Sequence, residues 1–374
     1  MSPTSLRRPL TAQRPAGYLP TLDGWRAVAI LGVMIAHSTD ALFAPGAPLA
    51  NPGWHAVTRY GAKGVDLFFG ISGLLICSRL LEEHEQRGAI SLKGFYVRRF
   101  ARILPPYLAY LVVIATLSAL GVLAAGRSEL LHSAFFLRNY LALEGPAGTG
   151  WYTAHLWSLA MEEHFYLIWP TLLVLWTPPR ALSRVVLLAL AITVWRWAVF
   201  HWPGADPISP TVSRFVRTDL RLDALLWGCG MALVMWRPAA RAWLAARLTT
   251  GVWLVACAAL LTVIVVPMPF SLLWQSLLIP VALAGTILRP DGRPAQLLES
   301  PPARWVGRIS YSLYLWQTLF LVAFGLARPF GMLQQLPLSL AAVFAAASLS
   351  YYAIERPMVR LGHRLAPPTT EGRI

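Results

Sequence analysis

The chain has 374 residues, of which 56% are hydrophobic and only 13% charged, against roughly 25% charged in an ordinary soluble domain; with a mean hydropathy of +0.54, this argues against a soluble globular protein. The net charge of +15, from 32 Lys+Arg and 17 Asp+Glu, calls for no nucleic-acid partner, because basic loops are what membrane topology places on the cytoplasmic side. Ten-residue segments of alternating polarity, the mark of an outer-membrane barrel, are absent. Apolar runs of roughly 17–25 residues recur instead, each long enough to cross about 30 Å of hydrocarbon as a helix. The reading is an all-α, polytopic transmembrane bundle of about ten spans: 25–43, 64–81, 103–125, 156–177, 182–200, 219–236, 251–266, 271–289, 305–327 and 336–354. Residues 1–20 and 361–374 are expected to be cytoplasmic tails flanking one membrane domain over 21–360.

The first span carries ionisable residues that hydrocarbon rejects unless they face a cavity or a partner. Arg26 and His37 stand eleven residues apart, three helical turns plus about 20°, so they share a face about 16 Å apart along the axis. Asp23 and Asp40 each lie three residues from one of them, within reach on a neighbouring face. The plain alternative is a snorkelling Arg26 and a packed His37.

The second span, GVDLFFGISGLLICSRLL, starts near Asp66 and offers Gly70, Ser72 and Gly73 for close helix approach. Before the third, FYVRRFARILPPYL places Arg98, Arg99 and Arg102 on the inner side, with Pro105 and Pro106 suited to a helix start. Three guanidiniums can hold phosphates by charge-assisted hydrogen bonds, although topology alone would also place arginines there.

At the fourth span, HLWSLAMEEHFYLIWP sets Glu162, Glu163 and His164 in an aromatic run. Ser158 and Glu162 share a face, and two adjacent carboxylates there need protons or partners. Asp219, Arg221 and Asp223 enter the sixth span, and Glu355 and Arg356 end the last; both sets read mainly as helix-end anchors. Cys77, Cys229 and Cys257 lie within apolar spans and supply neither a disulfide framework nor a metal spacing, so no metal is expected. The N-terminal stretch has no apolar region or cleavage site of a signal peptide. Counted by loop, Lys and Arg favour the side that holds both termini by better than two to one, which makes that side the cytoplasm.

Taken in order, these segments resemble the acyltransferase 3 family of bacterial integral-membrane O-acyltransferases. The resemblance runs from LDGWRAVAILGVMIAHS through GVDLFFGISGLLI, FYVRRFARILPPYL, HLWSLAMEEHFYLIWP, RLDALLWG and GRISYSLYLWQ to SYYAIERP, essentially the whole chain. It implies ten helices with cytoplasmic termini, an essential arginine and histidine in the first helix, here Arg26 and His37, and an acyl-CoA-binding RxxR pattern, here Arg99 and Arg102. The chain departs from the pattern at Gly70 and Ile71, where Val and Leu are frequent, at His164, where Gln is usual, and at Gln317, where the family has histidine. Many relatives carry a C-terminal hydrolase-like domain. Here some twenty residues follow the last predicted span, and a stand-alone form is expected.

The resemblance implies transfer of a short acyl group, acetyl first among them, from cytoplasmic acyl-CoA to a hydroxyl of an envelope polysaccharide or glycolipid at the bacterial inner membrane, O-antigen or exopolysaccharide first, then glycolipid, peptidoglycan or, as the alternative, a secondary metabolite. Arg98, Arg99 and Arg102 would hold the anionic end of the donor. His37 is the candidate general base, with Asp40 orienting it, Glu162 or Glu163 placing the sugar or moving a proton, and Arg26 guiding the donor. Asp66, Ser158 and Asp223 are candidates for holding the acceptor. Direct transfer and an acyl-histidine intermediate stay open, as does a separate periplasmic partner. The rival classes are a transporter or flippase, which would move substrate without consuming acyl-CoA, and a receptor or scaffold. No pair of broken helices in the two halves supports the transporter.

Overall fold

In hydrocarbon a lone segment satisfies its backbone N–H and C=O groups only as a helix. In the computed structural model every regular element among the described residues is helical. Those residues are 19–42, 60–142, 150–176, 178–202, 204, 206, 208, 212–322 and 325–366. They include thirteen helices of eight residues or more: α1 (Pro20–Leu42), α2 (Gly64–Arg87), α3 (Leu92–Ala119), α4 (Arg127–Ala134), α5 (Trp157–Trp176), α6 (Pro178–His201), α7 (Asp223–Trp236), α8 (Pro238–Arg247), α9 (Thr250–Val265), α10 (Ser271–Leu288), α11 (Pro301–Phe320), α12 (Leu338–Ser350) and α13 (Arg356–Leu365).

Each predicted span falls on one of these helices. By length and apolarity five can cross a membrane: α2, α3, most of α6, α10, and the run Leu338–Leu365 that joins α12 to α13; the α8–α9 pair, bent by 85°, makes a sixth if it is one broken span. The protein is thus a multi-pass membrane protein. The remaining predicted spans fall short for a physical reason. Helix α7 has 14 residues, while α1, α5 and α11 carry Asp23, Arg26 and His37, Glu162 and Glu163, and Arg304 and Arg308 respectively. Helices with charge at membrane depth must be lined by protein rather than lipid.

Helix α3 departs from the sequence expectation. It begins eleven residues before the predicted 103, so Pro105 and Pro106 lie inside a continuous 28-residue helix instead of opening it. Arg98, Arg99 and Arg102 interrupt the apolar run but not the helix, because arginine is a good helix former. The start is set by Ser91, whose hydroxyl accepts from the Gly94 N–H at 3.1 Å, and α2 ends at Gly88 in the left-handed conformation (φ +71°). This short connection folds α3 back so that Glu83 of α2 meets Arg98 at 3.2 Å.

Helix α1 packs between α11 and α2, α2 against α7, and α7 against α6 and α10. Small residues allow these approaches. A Cβ at Gly307 would strike the Asp23 backbone carbonyl, and one at Gly73 would strike that of Leu225. Helix α13 returns against α3, closing the bundle beside its basic half.

Candidate active site

Three adjoining cavities run from the end of the bundle that holds Arg98 toward its middle. The widest, about 1,420 Å³, lies between the C-terminal end of α2, the N-terminal half of α3 and α13, and is lined by Arg79, Arg87, Arg98, Arg99, Arg102 and His363 together with Glu82 and Glu83. A second, about 800 Å³, brings Asp23, Arg26, Arg79, Arg102, Arg308, Glu355 and Arg356 together. The third, about 650 Å³, lies deeper, among Arg26, Phe68, Ser72, Arg99, Arg102, Ser158, Glu162, Tyr311 and Tyr314. Arg102 lines all three, Arg26 and Arg99 two each.

The side chains of the deep cavity hold one another in place. Glu162 accepts from the Ser72 hydroxyl at 2.7 Å and from the Tyr166 hydroxyl at 3.0 Å. The Arg99 guanidinium lies 3.4 Å above the centre of the Tyr166 ring, a cation–π contact strengthened by exclusion of water. Arg26 is 3.5 Å from Asp23 on its own helix. Arg102 makes no hydrogen bond or ion pair with any described residue. An arginine at the junction of three cavities with no ion pair to a described residue has its hydrogen-bond donors available to an anionic ligand.

At its inner end the cavity meets a hydroxyl pair. Tyr314 donates to the His155 carbonyl at 2.6 Å, and its oxygen lies 2.7 Å from the Ser158 hydroxyl. Beyond it sits the His155 ring, buried between Tyr110 and Tyr314 and close enough to His37 for the two imidazoles to interact electrostatically. His37 meets the Trp151 ring edge-on, with centroids 5.7 Å apart, and Trp151 is held by a 3.0 Å hydrogen bond to the Thr318 carbonyl. The face shared by Arg26 and His37 therefore runs from the basic cavities to this aromatic cluster.

The structure divides the sequence candidates. Arg26, Arg99, Arg102, Ser158 and Glu162 line one cavity, and Arg98 lines the cavity beside it. Glu163 points elsewhere, into a buried position whose electrostatic neighbours are Tyr107, Tyr311 and Arg99. Asp66 pairs with Arg221 and lies 3.7 Å from Lys63. Asp223, fully buried, accepts from both terminal nitrogens of Arg196 at 2.7 and 2.8 Å. Neither carboxylate lines the three cavities, and both act as partners of buried arginines. The side chain of Asp40 lies outside the described residues.

A further ion-pair group fixes the loop before α7: Arg217 bonds Asp206 and Asp219, and Arg214 bonds Asp206. Burial works against ionisation of Asp206, but the hydrogen bonds it accepts from Arg217, the Ile208 N–H and Arg214 outweigh it and hold the carboxyl below its ordinary range.

Three further residues emerge only from the structure. His155 lay within the quoted HLWSL segment but in no periodic pattern. Arg308 counts in the sequence only among the basic residues of the side assigned to the cytoplasm. Glu355, read as an anchor, instead enters the second cavity from a π-helical turn, Tyr351–Glu355.

An acyltransferase-domain family model, that of the acyltransferase 3 family, matches residues 19–355. The chain belongs to this family. It is 32% identical to the peptidoglycan O-acetyltransferase OatA of Listeria monocytogenes over 92% of its length, and 30% identical over 93% to the Bacillus subtilis protein named "Putative peptidoglycan O-acetyltransferase YrhL". It spans 56% of each of those relatives. No solved structure matches the chain.

Proposed function

We propose that the chain is an integral-membrane O-acyltransferase that takes acetyl, or another short acyl group, from acyl-CoA and places it on a hydroxyl of an envelope glycan. The observation that carries this reading is the run of three cavities sharing Arg102, lined by arginines at the open end and by hydroxyl groups at the deep end. Coenzyme A has that same polarity: phosphates at one end, a thioester on a slender, uncharged arm at the other. Arg98, Arg99 and Arg102 would hold the phosphates, Arg26 would line the passage of the arm, and Ser158, Glu162 and Tyr314 would surround its tip.

In the transfer, a base takes the proton of the acceptor hydroxyl, the oxygen attacks the thioester carbonyl, the C–S bond breaks, and the thiolate leaves to be protonated. His37 is the proposed base, since an imidazole changes charge near neutral pH. It lies about 16 Å along α1 from Arg26, so donor and acceptor would approach the carbonyl from opposite ends. The positive bias of the loops supports the bacterial inner membrane, with the arginine-lined opening and both termini on the cytoplasmic side. The names of the two relatives move peptidoglycan ahead of O-antigen, exopolysaccharide and glycolipid as acceptor.

The test is mass spectrometry of peptidoglycan, glycolipids and polysaccharides from cells producing the wild type, His37→Ala or Arg102→Ala. A base-labile acetyl ester that appears only with the wild type is the expected result. Uptake or translocation of a solute by purified, reconstituted protein without consumption of acetyl-CoA would overturn the reading in favour of a transporter.

A further inference from the structure

The second cavity contains an arrangement that donor binding alone does not require. Five arginines line it, Arg26, Arg79, Arg102, Arg308 and Arg356, with two buried carboxylates: Asp23, which lies 3.5 Å from Arg26 on the same helix, and Glu355. Glu355 is 2% exposed. It is held from behind by the Ser312 hydroxyl, which donates to Oε2 at 2.9 Å. It forms no ion pair with any described residue, yet Arg102 and Arg26 are its electrostatic neighbours. The carboxylate thus shares a cavity with the guanidiniums without pairing with one among the described residues.

Its position comes from the backbone. Tyr351–Glu355 forms a π-helical turn between α12 and α13, and the extra residue in such a turn shifts the register of the face that follows. Single π-turns inside α-helices are rare, and those that occur are frequent at functional sites. A carboxylate in a pocket for polyphosphate weakens the bound state by repulsion, while in the empty pocket it reduces the mutual repulsion of the arginines.

Resting on the acyl-CoA reading above, we infer that Glu355 is a built-in counter-anion of the donor pocket: it holds the arginines together when the site is empty and speeds release of spent coenzyme A. The carboxylate and an incoming phosphate compete for the same guanidiniums, so the residue sets how long the product stays bound. Donor and product carry the same charges, and the repulsion acts on both. An enzyme that must discharge one coenzyme A per turnover gains rate from it whenever product release is slow.

The experiment measures equilibrium binding of coenzyme A to the purified full chain in nanodiscs, for the wild type, Glu355→Gln and Glu355→Asp. One carboxylate about 10 Å from a single phosphate charge, at an effective dielectric near 20, opposes binding by about tenfold, and salt screens the more distant charges of the ligand. Glu355→Gln is therefore expected to bind coenzyme A about tenfold more tightly, Glu355→Asp to bind like the wild type, and the gain to shrink as salt is added. Pantetheine, which is uncharged, should show no gain, and a packing change would not distinguish the two ligands in this way. Should Glu355→Gln not be recovered folded, Glu355→Met, similar in volume and equally uncharged, is read the same way.

Unchanged or weaker coenzyme A binding by the uncharged variants, with a wild type that binds it, overturns the inference and makes Glu355 an organiser of the arginines. A wild type that binds no coenzyme A overturns the donor reading itself, and the inference with it.

Discussion

The buried pair of Arg196 and Asp223 separates a structural from a substrate-binding role for a residue the sequence placed among the acceptor contacts. Arg196 donates to both carboxylate oxygens and, at 2.7 Å, to the Leu220 carbonyl; the two side chains are 8% and 1% exposed. Asp223→Ala leaves the guanidinium in a buried site with one neutral acceptor, a change that costs about 3–5 kcal/mol. At roughly 2 °C per kcal/mol for a chain of this size, the midpoint of thermal unfolding should fall by about 6–10 °C. A thiol-reactive dye reports that transition directly, because Cys77 and Cys229 are buried and become reactive as the bundle opens. Arg196→Met combined with Asp223→Leu removes both charges and should recover most of the loss, since a buried pair contributes little beyond well-packed apolar groups. An Asp223→Ala protein that melts with the wild type and yet fails to transfer acetyl would refute this account and return Asp223 to the acceptor site.

Arg102→Ala removes a guanidinium that pairs with no described residue and should raise KM for acetyl-CoA by about 10–100-fold, the equivalent of one charged hydrogen-bonding group, with a smaller change in kcat. Arg102→Lys should restore part of the loss, because it keeps the charge without the planar fork. His37→Ala should lower transfer by about 10²–10⁴-fold while coenzyme A still binds, since His37 packs against Trp151 and lines none of the three arginine-bearing cavities. Gel-resolved label from radioactive acetyl-CoA that is lost in His37→Ala would identify an acyl-histidine; its absence in the wild type favours direct transfer. Gly307→Val should abolish recovery of folded protein, since its Cβ would meet the Asp23 backbone. Gly230→Ala should be tolerated, because its nearest neighbour is a Val185 methyl at 3.8 Å.

Much of this was legible in the residues, and the exceptions have physical causes. Apolar length located a helix for each expected span, because hydrocarbon thickness and helical rise fix the number of residues needed. The beginning of α3 was misplaced because arginines end an apolar run without ending a helix. Arg26, Arg99, Arg102, Ser158 and Glu162 could be picked out because charge or hydroxyl groups in an apolar helix need a cavity or a partner. Which of the two each residue has is decided by helices distant in sequence: Asp66 finds Arg221, 155 positions away, and no local spacing announces that pairing. Glu355 escaped for a different reason. A π-turn changes which face a residue occupies, and the 3.6-residue period assumes that no such turn intervenes.

The ionisable residues of the bundle consequently fall into two populations that composition cannot separate. Asp66 with Arg221, Asp223 with Arg196, and Asp206 and Asp219 with Arg217 are neutralised pairs that join helices and loops. Arg26, Arg99, Arg102 and Arg308 converge on shared space with fewer protein anions than cations. Positive charge left in excess around a cavity is costly in the empty protein and becomes favourable only when a polyanion enters. If the cavity were a packing defect, neutralising Arg102 would stabilise the empty protein and leave turnover unchanged. If it is the donor site, the same change stabilises the empty protein while weakening its hold on coenzyme A, so that stability and affinity move in opposite directions in one variant.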